Sequence, residues 1–207
     1  SGISATNGIV CVDSEYISLS TDGTTRSHRS MRIDAALYEG NSGGGAFNAD
    51  GELIGLANAG DGTNQNVNYA IPVSIVEGAA ENIVANYTAN GEATGVTRPT
   101  LGVTVNIENS KYVYDESTSS GRIVETIEVS DVTAGSIAET LGLQEGDVLT
   151  AFIVNGVSHE IGRSFEIGDL LLTVRAGDTV ALAYERGGES AQTAAHTLIS
   201  SDFSAAE

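Results

Sequence analysis

Ile33-Asp34-Ala35-Ala36-Leu37-Tyr38-Glu39-Gly40-Asn41-Ser42-Gly43-Gly44-Gly45-Ala46-Phe47-Asn48-Ala49-Asp50-Gly51-Glu52-Leu53-Ile54-Gly55-Leu56 is the stretch that decides the fold. Its second half is a hairpin by pattern: an Asp50-Gly51 pair between two apolar runs supplies the positive φ angles that a tight turn needs. Its first half sets Ser42 among glycines, which allow unusual φ/ψ values and leave room for a substrate backbone. Nucleophilic serine catalysis needs a hydroxyl held on a tight, exposed turn, with backbone N–H groups converging where an oxyanion develops. In that geometry the N–H groups of Gly40 and Ser42, in the loop Gly40-Asn41-Ser42, would form the oxyanion hole. A plain hairpin loop fits the pentapeptide equally well, since Gly, Asn and Ser are ordinary turn residues. What surrounds the loop has to decide.

Upstream, Glu15–Ser20 and Met31–Leu37 read as strands flanking a polar turn at Asp22-Gly23. Downstream, Ile75, Val76, Ala79, Ala80, Ile83, Val84 and Tyr87 recur at helical spacing and make one apolar stripe. Ser74 with Glu77 is a capping-box start for that helix, and Asn90-Gly91 is its stop. Residues 1–91 are therefore a first domain and 92–99 a polar linker. Residues 100–202 form a second unit. There, strands are expected at Leu101–Ile107, Gly121–Val129, Ala151–Val154 and Thr179–Glu185, with a turn at Asn155-Gly156. A short helix is expected from Ser136 and another over Phe165–Leu172. Val, Ile, Thr and Tyr dominate the apolar segments, so the class is mainly β.

The 28 acidic against 9 basic residues give a net charge of −19, which serves solubility, repels nucleic acid and anionic membrane surfaces and argues against both as partners. Cys11 is the only cysteine, so neither an intrachain disulfide nor a Cys/His zinc pattern can be drawn. No metal or cofactor is expected. The run Asp61–Asn66 looks like a calcium loop at first sight but lacks the alternating acids and the terminal Glu of one. No stretch is long and apolar enough to span a bilayer, and the start Ser1-Gly2-Ile3-Ser4-Ala5 reads like the middle of a strand.

Context around Ser42 resolves the ambiguity. The Asp-Ala-Ala lead-in, Gly-Asn-Ser-Gly-Gly, the hairpin and Gly51-Glu52-Leu53-Ile54-Gly55 together resemble the nucleophile region of HtrA/DegP-type proteases. Tyr69-Ala70-Ile71-Pro72 resembles that family's Phe-Ala-Ile-Pro, and Ser1–Ala5 resembles the opening of its second barrel. The likeness continues into the second unit. Thr100-Leu101-Gly102-Val103 resembles the carboxylate-binding loop of PDZ domains, and Leu141–Leu149 with Asn155-Gly156 matches their Gly-Leu-x-x-Gly-Asp-x-Ile and Asn-Gly pattern. The polar Lys111–Ser120 stretch and the Leu149–Asn155 spacing are longer than that pattern.

The resemblance implies the C-terminal half of a trypsin-like double β-barrel followed by a PDZ domain. Ser42 would be the nucleophile of a serine endopeptidase acting on unfolded protein or peptide substrates. Ala36 and Leu37 would floor a pocket for small aliphatic side chains, and Leu56, Ala57 and Asn58 would pair with substrate backbone. Thr100–Val103 would hold peptide C-termini. Asp34 has a counterpart in the family and reads as structural. In this fold the catalytic His and Asp come from the N-terminal barrel. His28, His159 and His196 all read as exposed surface histidines, so the chain alone is expected to be inactive. The parent protein is expected outside the cytoplasm, membrane-anchored and able to form homo-oligomers. A non-catalytic pseudo-protease that captures chain termini is the alternative.

Overall fold

Asp50-Gly51 turns the chain as its pattern predicts. Gly51 has φ +81°, Asn48 N–H donates to the Glu52 carbonyl at 2.9 Å, and the Asn48 side-chain oxygen accepts from Asp50 and Glu52 N–H. The computed structural model describes residues 4–21, 23–61, 64–90, 95–117 and 120–205. The expectations placed on residues 1–3, 22, 62–63, 91–94 and 118–119 lie outside these residues. The chain divides into two compact units, one up to Val84 and one from Ala85 to Ala206. No helix among the described residues is long and apolar enough to cross a membrane.

The first unit holds β1 (Val10–Thr21), β2 (Thr24–Ile33), β3 (Gly45–Phe47), β4 (Leu53–Asp61), β5 (Asn64–Pro72) and the start of α1 (Val73–Asn90). The strands make one antiparallel sheet in the order β1-β2-β5-β4-β3. Met31, Ile33 and Ala70 form its small core, with Ala35, Ala46 and Ile54 packed against them. A barrel is expected here, but the described sheet is open. Three-residue β3 offers too short an edge to close onto twelve-residue β1. The pattern predicts a single strand over Met31–Leu37; the strand stops at Ile33, because Asp34 turns its carboxylate onto Ile9 N–H at 2.7 Å.

The helix forms where its spacing predicts, but begins at Val73, one residue before the expected cap. Ser74 is inside it and accepts from the Arg29 guanidinium at 3.2 Å. The apolar stripe is not buried as a stripe either: Ile83, Val84 and Tyr87 are exposed, while Asn82 is fully buried.

The second unit holds β6 (Thr97–Pro99), β7 (Val103–Asp115), β8 (Ser120–Val132), α2 (Ile137–Thr140), β9 (Val148–Val154) and β10 (Val157–Glu160). After these come α3 (Ser164–Leu171), β11 (Thr179–Arg186), β12 (Glu189–Gln192), β13 (His196–Thr197) and β14 (Phe203–Ala205). Its main sheet runs β12-β11-β9-β8-β7, with β10 on β9 and β13 on β11. The core is large and continuous. Ile127, Val129, Phe152, Val174, Val180, Leu182 and Leu198 are 0–1% exposed, and Leu101, Ile137, Leu141, Ile167 and Leu171 pack into the same cluster.

Two local devices hold the second unit's loops. Ser136 caps α2, accepting from Glu139 N–H at 3.2 Å. Buried Asp147 accepts both Arg186 guanidinium hydrogens at 2.6 and 2.7 Å and the Gln144 N–H at 2.8 Å. The expected polar linker is partly strand: Thr97–Pro99 pairs with Phe203–Ala205, and Pro99 is buried, which a short edge strand tolerates. Of the long Lys111–Ser120 stretch, Lys111–Asp115 belong to β7 and Ser120 to β8, the two strands pairing as an arm over Lys111–Asp115 and Ser120–Val124.

Candidate functional site

The Ser42 loop is built by two turns and one clamp. Asn41 N–H donates to the Tyr38 carbonyl, and Gly44 N–H to the Asn41 carbonyl, both at 2.9 Å. Gly43 N–H donates to Ala57 O at 2.7 Å and Ala57 N–H returns to Gly44 O at 2.8 Å, fixing the loop to β4. Gly40 and Gly43, on either side of Asn41-Ser42, have φ +96° and +85°, a region that L side chains rarely adopt. The result is a Ser42 on an exposed loop, its glycine neighbours open to solvent. Among the described residues the N–H groups of Gly40 and Ser42 have no hydrogen-bond partner, whereas that of Asn41 is committed to Tyr38. The expected three-residue oxyanion loop therefore has two free donors, and Asn41 N–H is not one of them.

Ser42 Oγ donates to the backbone carbonyl of Asn58 at 3.1 Å. The Asn58 side-chain nitrogen in turn lies 2.7 Å from His28 Nε2. Burial pushes the His28 imidazole below the ordinary histidine range. The reading of His28 as an exposed surface histidine is corrected: it is half-buried and meets Asn58, 30 residues away in sequence, because the β2-β5-β4 order brings the two together. His196 is half-buried and lies 3.1 Å from Asp202, whereas His159 is exposed on β10. Asp34 holds Ile9 through its side chain and its own N–H. Ala36 and Leu37 lie half-buried in the segment between Asp34 and the Ser42 loop. On β4, Ala57 is buried and commits both backbone groups to the loop, while Leu56 and Asn58 are half-buried.

The second unit carries a groove of about 310 Å³ lined on one side by Arg98, Leu101, Gly102, Val103 and Val105 and on the other by Ser164, Ile167, Gly168 and Leu171. Its loop is held by its carbonyls. Leu101 O accepts from Ala138 N–H at 2.8 Å and Gly102 O from Thr133 N–H at 2.9 Å, while Thr100 N–H is committed to Asp202 O. Gly102 sits at φ +72°, and a Cβ there would fall 2.3 Å from Ser136 Cβ. Leu101 and Gly102 N–H have no partner among the described residues. Strand β7, which follows the loop, is the last strand of its sheet, so its outer edge is open to pairing.

The opposite wall, α3, is fixed to β8. Glu125 accepts from Arg163 Nε at 2.7 Å and Ser164 N–H at 2.8 Å. Burial works against ionised Glu125, but these partners outweigh it and hold its carboxyl below the usual range. Arg98 and Val105 are groove residues that sequence reasoning missed; for the helix expected over Phe165–Leu172, it did not tell which side chains face the groove, and Ser164, Ile167, Gly168 and Leu171 are the ones that do. The spacing of the last four, i, i+3, i+4 and i+7, was the available signal.

A family model described as Trypsin matches residues 6–79. A "Serine protease Do-like HtrA" of Lactococcus lactis subsp. cremoris is 30% identical over 201 residues, covering 90% of this chain and 46% of the relative. A "Probable periplasmic serine protease do/HhoA-like" of Haemophilus influenzae is 33% identical over 195 residues, covering 91% of this chain and 38% of the relative. The chain thus spans less than half the length of these two curated relatives. Among solved structures, "HtrA-type protease AlgW with tripeptide" superposes with a TM-score of 0.50 at 23% identity, over 82% of this chain and 59% of that one, a likeness of fold. The Gly-Asn-Ser-Gly-Gly loop, the trypsin-type match around it and relatives aligned through both units agree: the chain belongs to the HtrA/DegP family of trypsin-like serine proteases.

Proposed function

We propose that this chain supplies the nucleophile and the peptide-capturing unit of an HtrA-like endopeptidase that cleaves unfolded polypeptides. Ser42 attacks the scissile carbonyl, and the N–H groups of Gly40 and Ser42 receive the oxyanion. Of the three β4 residues expected to pair with substrate backbone, Ala57 is committed to the Ser42 loop and Leu56 is flanked by β3 and β5, so the pairing falls to Asn58, and Ala36 and Leu37 floor a pocket for small aliphatic side chains. Residues 100–202 act as a PDZ domain in which Leu101, Gly102 and Val103 hold a free C-terminal carboxylate and β7 takes the peptide as an added strand. Relatives named as periplasmic support action outside the cytoplasm.

One observation carries the reading: the Ser42 loop is clamped to β4 with two amides left free beside the hydroxyl. Positive-φ glycines serve plain turns as well, but a plain turn has no use for two free N–H groups beside an exposed hydroxyl.

The same geometry makes this chain by itself inactive. Ser42 donates to a carbonyl oxygen, which orients a hydroxyl but is too weak a base to take its proton. His28 is engaged by Asn58. The base and its orienting acid come from the companion barrel of the trypsin-like fold. That barrel is also what would cover exposed Ile9, Tyr38 and Phe47. The second reading, a pseudo-protease that binds chains without cutting them, draws on one observation: no base stands beside Ser42 among the described residues.

A fluorophosphonate probe and casein cleavage, applied to this chain and to a longer form that includes the upstream sequence, separate the readings. Losing the base of a triad costs on the order of 10⁶ in kcat, so Ser42 labelling is expected in the longer form and to be negligible in this chain. Equal labelling rates would refute the assignment of the base. A longer form that neither labels nor cleaves would establish the pseudo-protease.

A further inference from the structure

The outer edge of β7 continues well past the groove. Residues 109–115 pair one for one with residues 126–120 of β8, and every β7 side chain over residues 106–115 is exposed. β7 is the last strand of its sheet, so this run has no strand on its other side. A long, regular edge is a template for another chain unless a bulge, a charge or a cover blunts it. The bulge at Ile107/Asn109 lies before the run, not in it. The run itself is apolar at its centre: Tyr112, Val113 and Tyr114 are 68%, 37% and 55% exposed. Tyr112 lies across Gly121 of β8, where a Cβ would run into its ring.

One guard stands on this edge. Lys111 is the only lysine of the chain, and no carboxylate pairs with it among the described residues. An edge lysine repels most strands, but it attracts one that sets a carboxylate opposite it. The same strand carries such a group. Asp115 ends β7, and its Oδ1 accepts from Ser117 N–H at 2.8 Å and Ser117 Oγ at 2.6 Å. That holds the carboxylate in place, and its lone pairs can accept further donors. Two copies related by a two-fold axis bring this one edge together antiparallel. Residues that oppose each other then lie on the same face. Lys111 can therefore oppose Asp115 of the second copy but not Glu108, the extra residue of the bulge. That register also sets Tyr112 against Tyr114 and Val113 against its own counterpart, and symmetry forms the ion pair twice.

We propose that the far end of β7 is a self-association edge: two copies of this chain pair antiparallel over residues 111–115, Lys111 of each opposite Asp115 of the other. The pairing joins the two main sheets into one and leaves residues 103–107 of β7 uncovered. It goes beyond the peptide-capturing function and does not depend on it. The net charge of −19 opposes association at long range, but at physiological salt that repulsion reaches only about 8 Å. The contact is small, so the dimer is weak and forms with rising concentration.

Sedimentation equilibrium of the full 207-residue chain at physiological salt is the test. The average mass is expected to rise from monomer towards dimer between about 1 μM and 1 mM, the range of a small interface. Lys111→Asp and Asp115→Lys each turn both ion pairs into like-charge contacts, and each is expected to weaken the dimer by on the order of tenfold. The chain carrying both exchanges restores the pairs and is expected to return to within about threefold of wild type. Asp115 also holds Ser117, so Lys111→Asp is the deciding single variant, with melting temperature confirming that each variant is folded. Carbodiimide coupling in a mixture of unlabelled and isotope-labelled chains gives a second readout: Lys111 should join Asp115 of the other isotope. A chain that stays monomeric to about 1 mM overturns the proposal, as does a dimer that Lys111→Asp leaves unweakened. So does a dimer tightened by Lys111→Ala, the result expected if the lysine only guards the edge. Cross-links that join other residues would place the contact elsewhere and overturn it as well.

Discussion

Replacing Asp147 with asparagine keeps the shape of a buried side chain and removes its charge. In the native structure both carboxylate oxygens are used: Oδ1 by Arg186 Nε at 2.6 Å, Oδ2 by a second Arg186 nitrogen at 2.7 Å and by Gln144 N–H at 2.8 Å. The substituted amide could keep its oxygen towards one donor but would turn its own N–H₂ towards another. The loss is therefore about two charge-assisted hydrogen bonds. With Arg186 partly solvated, the lower end of the usual range applies, about 2–3 kcal/mol in total. For a unit of this size that lowers Tm by on the order of 10 °C.

The pH dependence is the sharper signature. Burial alone would raise the Asp147 pKa, but the Arg186 and Gln144 hydrogen bonds outweigh it, and the folded value lies below normal. Its contribution is therefore complete above the unfolded value of about 3.9 and is lost as pH falls through the lower folded one. Urea unfolding followed by far-UV circular dichroism at pH 7, 5, 4, 3 and 2 measures the gap between wild type and Asp147→Asn. The gap should be full at pH 7 and 5, shrink below about pH 4 and close at the acid end. A gap under about 0.5 kcal/mol at neutral pH, far below the two hydrogen bonds it should reflect, would refute the reasoning, as would one of constant size down to pH 2.

Two further outcomes test the groove. Peptides with a free, apolar C-terminus should bind the 207-residue chain, and their amidated versions should not do so measurably in the same calorimetric titration. Arg98→Glu should weaken free-carboxylate peptides by on the order of tenfold, since a charge-assisted contact is worth about 1.5–3 kcal/mol before solvent screening; the loss should shrink at high salt, and an unaffected affinity would remove Arg98 from the site.

Local signals were legible wherever a few adjacent residues determine the outcome. Asp50-Gly51 and Asn155-Gly156 turn the chain because their positive-φ requirement is intrinsic; Asn155 and Gly156 sit at φ +50° and +81°. Ser136 caps α2 through its own neighbour Glu139, and the Ser42 loop follows from glycines on either side of it. Its free amides, by contrast, could only be counted once Tyr38 and Ala57 were seen to take up the rest. Register was harder. The arm beyond Ile107 looked like a polar insertion because a bulge between Ile107 and Asn109 shifts the alternation partway along β7. Pairing across the bulge keeps both strands going regardless.

What stayed hidden depends on strand order, which no short window reports. His28 reads as the tip of a polar hairpin until β5 and β4 follow β2 across the sheet and Asn58 arrives beside it. Arg98 reads as linker until Thr97–Pro99 pairs with Phe203–Ala205, near the far end of the chain. The α1 stripe fails in a different way. Its period is right and its helix is real, yet Ile83, Val84 and Tyr87 face solvent while Asn82 is fully buried. A hydrophobic period measures how a face would gain from being covered, and the covering surface has to be supplied by another element. Within the first unit the clustered apolar core amounts to Met31, Ile33 and Ala70, so the described strands cover little. Ile83, Val84 and Tyr87 therefore keep a helical period whose covering surface no described element supplies, and Ile9, Tyr38 and Phe47 stand exposed in the same way.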